Sequence, residues 1–467
     1  VIASLSRPSI RRHALCLAAL VCAAASCRQP AASRRPASSA PRPVIVLMLD
    51  TVRADHLGFY GYERDTSPHL DAFARDSLAF KHAFTAAPWT PPSVASMLTG
   101  LYPAAHGHVP PNSLELARTG ARRLSPGLLT LAEVLQGKGY RTAAVSPNPW
   151  ISPAFGFDQG FESFQFLHKE TAGRIAAAGI ELIEGFRSRD EPFFLYLHFF
   201  DAHDPYTPPA PYAEMFQAPL ARAGRAYAER LQRQLGRYDG EIRYMDDALG
   251  RLFAFLKRSG IYERALIVVV ADHGEQFKEH GRMHHGNALY NEELHVPFFV
   301  RDGGSGRPPA LVEHVVSTVD LFPTVLGQLG VAIPPTQADG VSVFSEGALA
   351  ARAGVLGEIR RVTDQRGFVS RDLRKAIFAV PLREQAAPER DAQWESPRLV
   401  GVFDIREDYL EQHPLADAPA RAHLEAELRA AFGKAARGER ADTLIPAGQL
   451  SDETLQQLKG LGYLTER

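Results

Sequence analysis

The sequence predicts an α/β fold, a sandwich of helices around a mostly parallel central sheet, and three observations predict it. Continuous apolar runs of strand length recur along the chain, segments of helical period lie between them, and the runs end abruptly on Asp, Asn or His. Strands that are apolar on every residue are buried on both faces, as in a parallel sheet covered by helices. Alternation of strands with helices gives the same fold class.

The elements follow in order. "PVIVLMLD" is the first strand and stops at Asp50. "SPHLDAFARDS" and "LLTLAEVLQGKG" read as helices, and "RTAAVSPN" is a strand ending at Asn148. "FFLYLHFFDAHDPY" is a strand that carries His198, Asp201 and His203 at its end. From Tyr238 to Lys257, Ile242, Met245, Leu249, Leu252 and Leu256 fall close to one helical face. "ALIVVVADHGE" is a strand ending at Asp272 and His273. In open α/β sheets ligands gather beyond the carboxyl ends of the strands, where these polar residues stand. Beyond about residue 345 the texture changes. "RKAIFAVPL" and "RLVGVFDI" read as half-buried strands of a smaller antiparallel sheet, and "RAHLEAELRAAFGKAARGE" as an exposed helix. The expected division is a leader over 1–27, a tether over 28–42, a catalytic core over 43–345 and a C-terminal subdomain over 346–467.

Composition narrows the function. A formal net charge of -1 in 467 residues excludes the basic footprint that nucleic-acid binding requires. The three cysteines, Cys16, Cys22 and Cys27, all lie in the leader, so the folded body has no disulfide, thiolate metal site or cysteine nucleophile. Arg7, Arg11 and Arg12 followed by "ALCLAALVCAAAS" read as an export signal, too short to span a bilayer comfortably. "AASC" resembles a lipoprotein cleavage site, with Cys27 lipidated and the protein tethered to a membrane in the periplasm or cell envelope; an ordinary signal peptide or an uncleaved anchor are the alternatives. "RQPAASRRPASSAPR" is the flexible tether.

"TAAPWTPPSVASMLTGLYP" poses the sharpest question. It is a Pro-rich turn entering a short helix with Thr90 at its start, where a threonine is either a helix cap or a nucleophile.

Several stretches together carry a family resemblance: "LDTVRADHLGFYGYERDTSPHLDAFA", "PSVASMLTGLYPAAHG", "GYRTAAVSPNPW", "HFFDAHDPYTPP", "YDGEIRYMDDALGRL", "ADHGEQFKEHGRMHHGNALYNEELHVP" and the terminal "LKGLGYL". In this order and spacing they resemble the sulfatase family of the alkaline phosphatase superfamily, from about Pro43 to the C-terminus. The resemblance implies an alkaline phosphatase-like sandwich with a smaller C-terminal antiparallel subdomain. It implies that Asp50, Asp272 and His273 bind one divalent cation, with Thr90 completing its coordination. Carboxylates with one imidazole leave Ca, Mg, Mn and Zn open. Asn148 would contact the substrate, and His203 and His285 would hold its anionic group or protonate the leaving oxygen. A second metal held by Asp201, His203 and His285 is an alternative, as in two-metal relatives. His198, His280 and His284 are further candidates, whereas His106 reads as structural. The helix entered at Thr90 would aim its free N–H groups at the anion.

The departures bear on the chemistry. Sulfate-cleaving members carry Cys or Ser followed by x-Pro-x-Arg, and that Cys or Ser becomes formylglycine. This chain has Thr90-Pro91-Pro92-Ser93-Val94, so no formylglycine forms there and the motif arginine is absent. Thr51 replaces a second aspartate, and Pro147 to Pro149 replace the Lys and His that usually follow "GYxTA". Threonine as nucleophile resembles the phospho-transferring branches of the superfamily. The expected function is thus an exported, metal-dependent hydrolase of a sulfuric or phosphoric ester of a glycan, lipid or small molecule, acting through a covalent Thr90 intermediate. The rivals are a phospho-alcohol transferase acting on glycan or lipid and a non-catalytic binding lipoprotein.

Overall fold

Eight strands build the central sheet: β1 (Val44–Leu49), β2 (Leu78–Phe84), β3 (Arg141–Ser146), β4 (Ser163–Phe166), β5 (Phe193–Phe199), β6 (Leu266–Ala271), β7 (Phe298–Asp302) and β8 (Ala310–Ser317). Their order is β8-β2-β7-β6-β1-β5-β3-β4. All pairings are parallel except those of β7 with β2 and β6. This computed structural model describes residues 42–109, 121–218, 221–222, 225–226, 229–337, 339–361, 364–380, 398–416, 418–435, 443–445 and 450–460. The leader with Cys27 and the tether up to residue 41 lie outside the described residues. Arg42 is anchored by an ion pair to Asp302 and a bond to the Gln328 carbonyl. Among the described residues, no helix is long and apolar enough to cross a membrane.

The apolar runs are explained by helices on both faces. Val44, Val46 and Met48 of β1 join Val268 and Val270 of β6 in one buried layer. That layer also holds Val94 and Leu98 of α2 (Thr90–Thr99), Leu131 and Leu135 of α3 (Leu131–Gln136), and Phe322 and Val325 of α6 (Leu321–Gln328). The alternate residues Ile45, Leu47 and Leu49 face the opposite layer. It is built from α1 (Pro68–Arg75), α4 (Ala172–Arg187) and α5 (Glu229–Arg258). Ile242, Met245, Leu249, Leu252 and Leu256 of α5 are fully buried there, each stabilising the fold by about 1.5–3 kcal/mol. Helix α5 starts nine residues before Tyr238. Its first turns are mostly polar and partly exposed, with Leu231 and Leu235 alone continuing the apolar stripe into the same layer.

The smaller antiparallel sheet has four strands, β9 (Gly354–Arg360), β10 (Asp364–Ser370), β11 (Arg374–Val380) and β12 (Arg398–Asp404), paired in sequence order. The expected exposed helix is α7 (Ala418–Ala435), and it is not exposed on every side. Leu424 and Leu428 are buried against Phe368, Phe378 and Val402, because the small sheet needs a cover for its apolar face. The sheet is docked onto the large one beside the entrance to α2: the Glu358 N–H donates to the Ala86 carbonyl at 2.9 Å. A strand over Thr443–Ile445 pairs with Ala121–Arg123, and Leu450 and Leu458 join the α2 layer.

A buried carboxyl on α5 gives the fold a testable pH dependence. Glu241 accepts the Thr207 N–H at 2.7 Å, and burial, then the neighbouring Asp201 carboxylate, pushes its pKa from 4.5 to about 9. The folded state therefore keeps a proton that the unfolded chain releases. The stability this confers is complete below the unfolded value of 4.5 and is lost as pH rises toward about 9. Glu241→Gln keeps the acceptor oxygen and removes the ionisation. Melting temperatures measured across this range should fall more steeply for the wild type than for Glu241→Gln, with the two converging at the acid end. Parallel curves would show that Glu241 titrates normally.

Candidate active site

The site is built where β1 and β6 end side by side. Leu49 pairs with Ala271, so the next residues, Asp50 and Asp272, emerge together. The Asp50 N–H donates to the Phe199 carbonyl at 2.8 Å and the Asp272 N–H to the Leu49 carbonyl at 3.3 Å, which fixes both chain ends. Thr51 then turns in the left-handed region, φ 58°, a costly conformation for a β-branched residue. That turn directs its N–H to Asp272 Oδ1 at 3.2 Å, while its carbonyl accepts from the Tyr238 hydroxyl at 2.7 Å. Gly274 follows His273 because a Cβ there would stand 2.1 Å from the Glu292 carbonyl oxygen.

Each carboxylate has one oxygen committed to the protein and one without a partner. Asp272 Oδ1 accepts from the N–H groups of Thr51 and His273, the latter at 2.8 Å. Asp50 Oδ2 is held by Asn148 Nδ2 and His198 Nε2, both at 2.8 Å. Asp50 Oδ1 and Asp272 Oδ2 are buried without a hydrogen bond. His273 Nδ1 donates to the Gly274 carbonyl at 2.8 Å, which assigns the unprotonated lone pair to Nε2. Nε2 lies 3.4 Å from Asp272 Oδ2 and 3.9 Å from Asp50 Oδ1. The Thr90 hydroxyl meets it at 3.1 Å.

Buried polar atoms without partners are rare, and two carboxylate oxygens converging on an imidazole nitrogen fit a divalent cation. The electrostatics agree. Burial and then the Asp50 charge push the Asp272 carboxyl well above its ordinary range. Burial acts on Asp50 in the same sense but is outweighed by the His198 hydrogen bond and by His198, His203 and His273, so Asp50 stays below its ordinary value. Burial takes His273 down to about 4.

Thr90 is the first residue of α2, and Trp89 occupies the cap position without a side-chain cap bond. The cap reading of Thr90 fails on simple chemistry. The next two positions are Pro91 and Pro92, which have no N–H, and the Ser93 N–H already donates to the Trp89 carbonyl at 3.3 Å. For the same reason the expected row of free N–H groups at the helix entrance shrinks to that of Thr90 itself. Ser93 instead braces the site, its Oγ donating to the Asp272 carbonyl at 2.7 Å.

The remaining candidates divide. His203 and His285 sit beside His273, with ring centroids 4.4 Å apart for His273–His285 and 5.0 Å for His203–His285. His203 Nδ1 is 2.6 Å from the Asp204 carbonyl and His285 Nδ1 is 3.2 Å from Glu275 Oε1. Burial lowers both pKa values, that of His285 further because His273, His203 and Arg361 add positive charge. Asn148, expected at the substrate, has both ends engaged within the protein: Nδ2 on Asp50, and Oδ1 accepting the Trp150 N–H at 2.9 Å. It positions Asp50. Asp201 is not grouped with His203 and His285 among the described residues: its Oδ1 accepts the Ala172 N–H at 2.9 Å at the start of α4, and its Oδ2 is buried without a hydrogen bond. His280 is bound to Glu292 at 2.6 Å, His284 lies in the Gln276–His284 hairpin, and His106 bonds Ser96 at 3.0 Å inside the core. A second His/Asp group, His69 with Asp246 and Asp247, is accounted for by Asp246 accepting the N–H groups of His69 and Leu70 at the entrance of α1. Sequence reasoning undervalued His198. Its signal was a polar residue within the otherwise apolar "FFLYLHFF".

Comparison with known proteins bears on the same residues. A family model described as Sulfatase matches residues 42–331, which contain Asp50, Thr90, Asp272 and His273. An arylsulfatase of Clostridium perfringens is 24% identical over 383 residues, covering 64% of this chain and 77% of that protein. The multifunctional alkaline phosphatase superfamily protein PehA of Trinickia caryophylli is 27% identical over 403 residues, covering 64% and 76%. The crystal structure of a phosphonate monoester hydrolase of Agrobacterium radiobacter shares the fold, with a TM-score of 0.66, 20% identity, and coverage of 87% of this chain and 97% of that one.

Proposed function

Because the chain belongs to the sulfatase family of sulfuric- and phosphoric-ester hydrolases, we propose that it opens its ester by attack of the unmodified Thr90 hydroxyl. The observation that carries this reading is the Thr90 Oγ1 position, 3.1 Å from His273 Nε2 at the edge of the Asp50–Asp272–His273 group and not in a cap bond. Those three residues would hold one divalent cation, with Thr90 beside it. When bound, such a cation lowers the pKa of a neighbouring hydroxyl and draws charge from an ester oxygen. Asn148 and His198 hold Asp50 so that its second oxygen stays turned to the centre, and the backbone of Thr51 and His273 does the same for Asp272.

Thr90 Oγ1 forms the new bond to sulfur or phosphorus as the bond to the leaving oxygen breaks. His203 and His285 stand beside the centre, where one of them, as a neutral imidazole, takes the proton that the Thr90 hydroxyl loses and hands it on to that oxygen. Water then attacks sulfur or phosphorus, the bond to Oγ1 breaks, the water's proton passes to Oγ1, and sulfate, phosphate or, from a diester, a phosphate monoester leaves with Thr90 restored. A formylglycine hydrate can expel sulfate with its second hydroxyl. Threonine has no second hydroxyl, so its ester must be opened from outside, a displacement to which phosphorus is well suited. The substrate class that follows is phosphoric mono- or diesters ahead of sulfate esters.

The test is a screen of the metal-loaded protein with aryl sulfates, phosphate monoesters, phosphodiesters and phosphonates, with acid quench and mass spectrometry of the Thr90 peptide. Turnover of a phosphoric ester with a phosphoryl group on an otherwise unmodified Thr90 is the expected result. Turnover restricted to sulfate esters, or an adduct on another residue, would contradict the assignment.

A further inference from the structure

We propose that Arg361, carried by the small sheet, is the cation that binds the ester's anionic group beside Thr90. The inference rests on the reading of Thr90 as nucleophile. A tetrahedral oxyanion there needs charge and donors for the oxygens turned away from the Asp50–Asp272–His273 centre. Helix α2 contributes little, since Pro91 and Pro92 lack N–H groups and that of Ser93 is bonded to Trp89. The motif arginine position is Val94, fully buried in the core, and the Asn148 amide is held by Asp50.

The small sheet brings a guanidinium to this place. Arg361 directly follows β9, the strand docked through Glu358 onto Ala86. Its Cζ lies 5.0 Å over the ring of Trp89, the residue before Thr90. Nη1 donates to the His285 carbonyl at 3.4 Å. Gly286 makes room for it: φ is +73°, and a Cβ there would stand 2.5 Å from Nη1. The guanidinium is thus bracketed between the nucleophile's neighbour and the turn that carries His285. Arginine suits the position better than lysine, because its planar fork stacks on an indole and meets two oxygens of an oxyanion together.

Inorganic phosphate and inorganic sulfate, titrated calorimetrically into the metal-loaded protein, are the probes, alongside ester KM and kcat. Arg361→Ala should weaken anion binding by roughly 10- to 100-fold and raise KM by a similar factor, with metal content and melting temperature retained. Arg361→Lys should recover part of the affinity through its charge, and the salt dependence of binding should flatten in Arg361→Ala. Should the alanine variant fold poorly, Arg361→Gln removes the charge with similar bulk and is read in the same way. Anion affinity within about twofold of wild type in the neutral variants, or no anion binding by the wild type, would overturn the inference. Neither result touches the Thr90 assignment, which a Thr90→Ala protein with normal turnover would overturn instead.

Discussion

Thr90→Ala should yield a folded, metal-loaded protein that no longer turns over any ester. Removing a covalent nucleophile costs on the order of 10³-fold or more in kcat, because binding and electrostatics alone cannot supply the missing bond. The fold should hardly notice. A threonine that caps a helix contributes about 1 kcal/mol, and Thr90 makes no cap bond because Trp89 stands at the cap and the next two positions are prolines. Thr90→Ser should keep part of the rate, since the hydroxyl remains and only the methyl that restricts its rotamer is lost. Turnover and melting temperature measured on the same preparations separate the two roles. An alanine variant with lowered stability and near-normal rate would leave Thr90 a structural residue.

Asp272→Asn should abolish metal binding and activity together, and its effect on stability should change sign with the metal. Asp272 and Asp50 are two buried carboxylates facing one another, and without a cation the second charge is strongly opposed. Asparagine removes that repulsion and keeps an oxygen for the N–H groups of Thr51 and His273. The metal-free variant should therefore melt above the metal-free wild type. A cation at about 100 times its dissociation constant adds roughly 2.7 kcal/mol to a protein that binds it. Chelation should accordingly lower the melting temperature of the wild type and leave the variant unmoved. Metal content by elemental analysis is the direct check, and stoichiometric metal in Asp272→Asn would place the ion elsewhere.

Much of this was legible along the chain because strand ends are local facts. An apolar run closed by Asp50, or by Asp272 and His273, states both that a strand is buried and where it stops. Strands with mixed faces were harder to read. "LAFKHAF" interrupts its apolar pattern with Lys81 and His82, yet forms β2, whose neighbours are the antiparallel β7 and the parallel β8. The exposed face expected of α7 overlooked Leu424 and Leu428, whose burial depends on a sheet formed by strands earlier in the chain.

By itself the sequence determined the α/β class, from apolar runs that stop at Asp50 and at Asp272 and His273, and the family, from the order and spacing of its motifs; the grouping of Asp50, Asp272, His273 and Thr90 was what the family resemblance implied. The sequence also held, in Pro91 and Pro92, the reason that the helix entrance cannot cradle an anion. Only the tertiary structure decided which atom each group spends on which neighbour. Asn148 and His198 both turn to Asp50 because β3 and β5 lie on one side of β1. Asp201 turns away to α4, and Arg361 arrives beside Trp89 because β9 docks at Ala86. A carboxylate or a guanidinium acts over a few ångströms, and the neighbours within that reach are set by strand order and sheet docking, not by spacing along the chain.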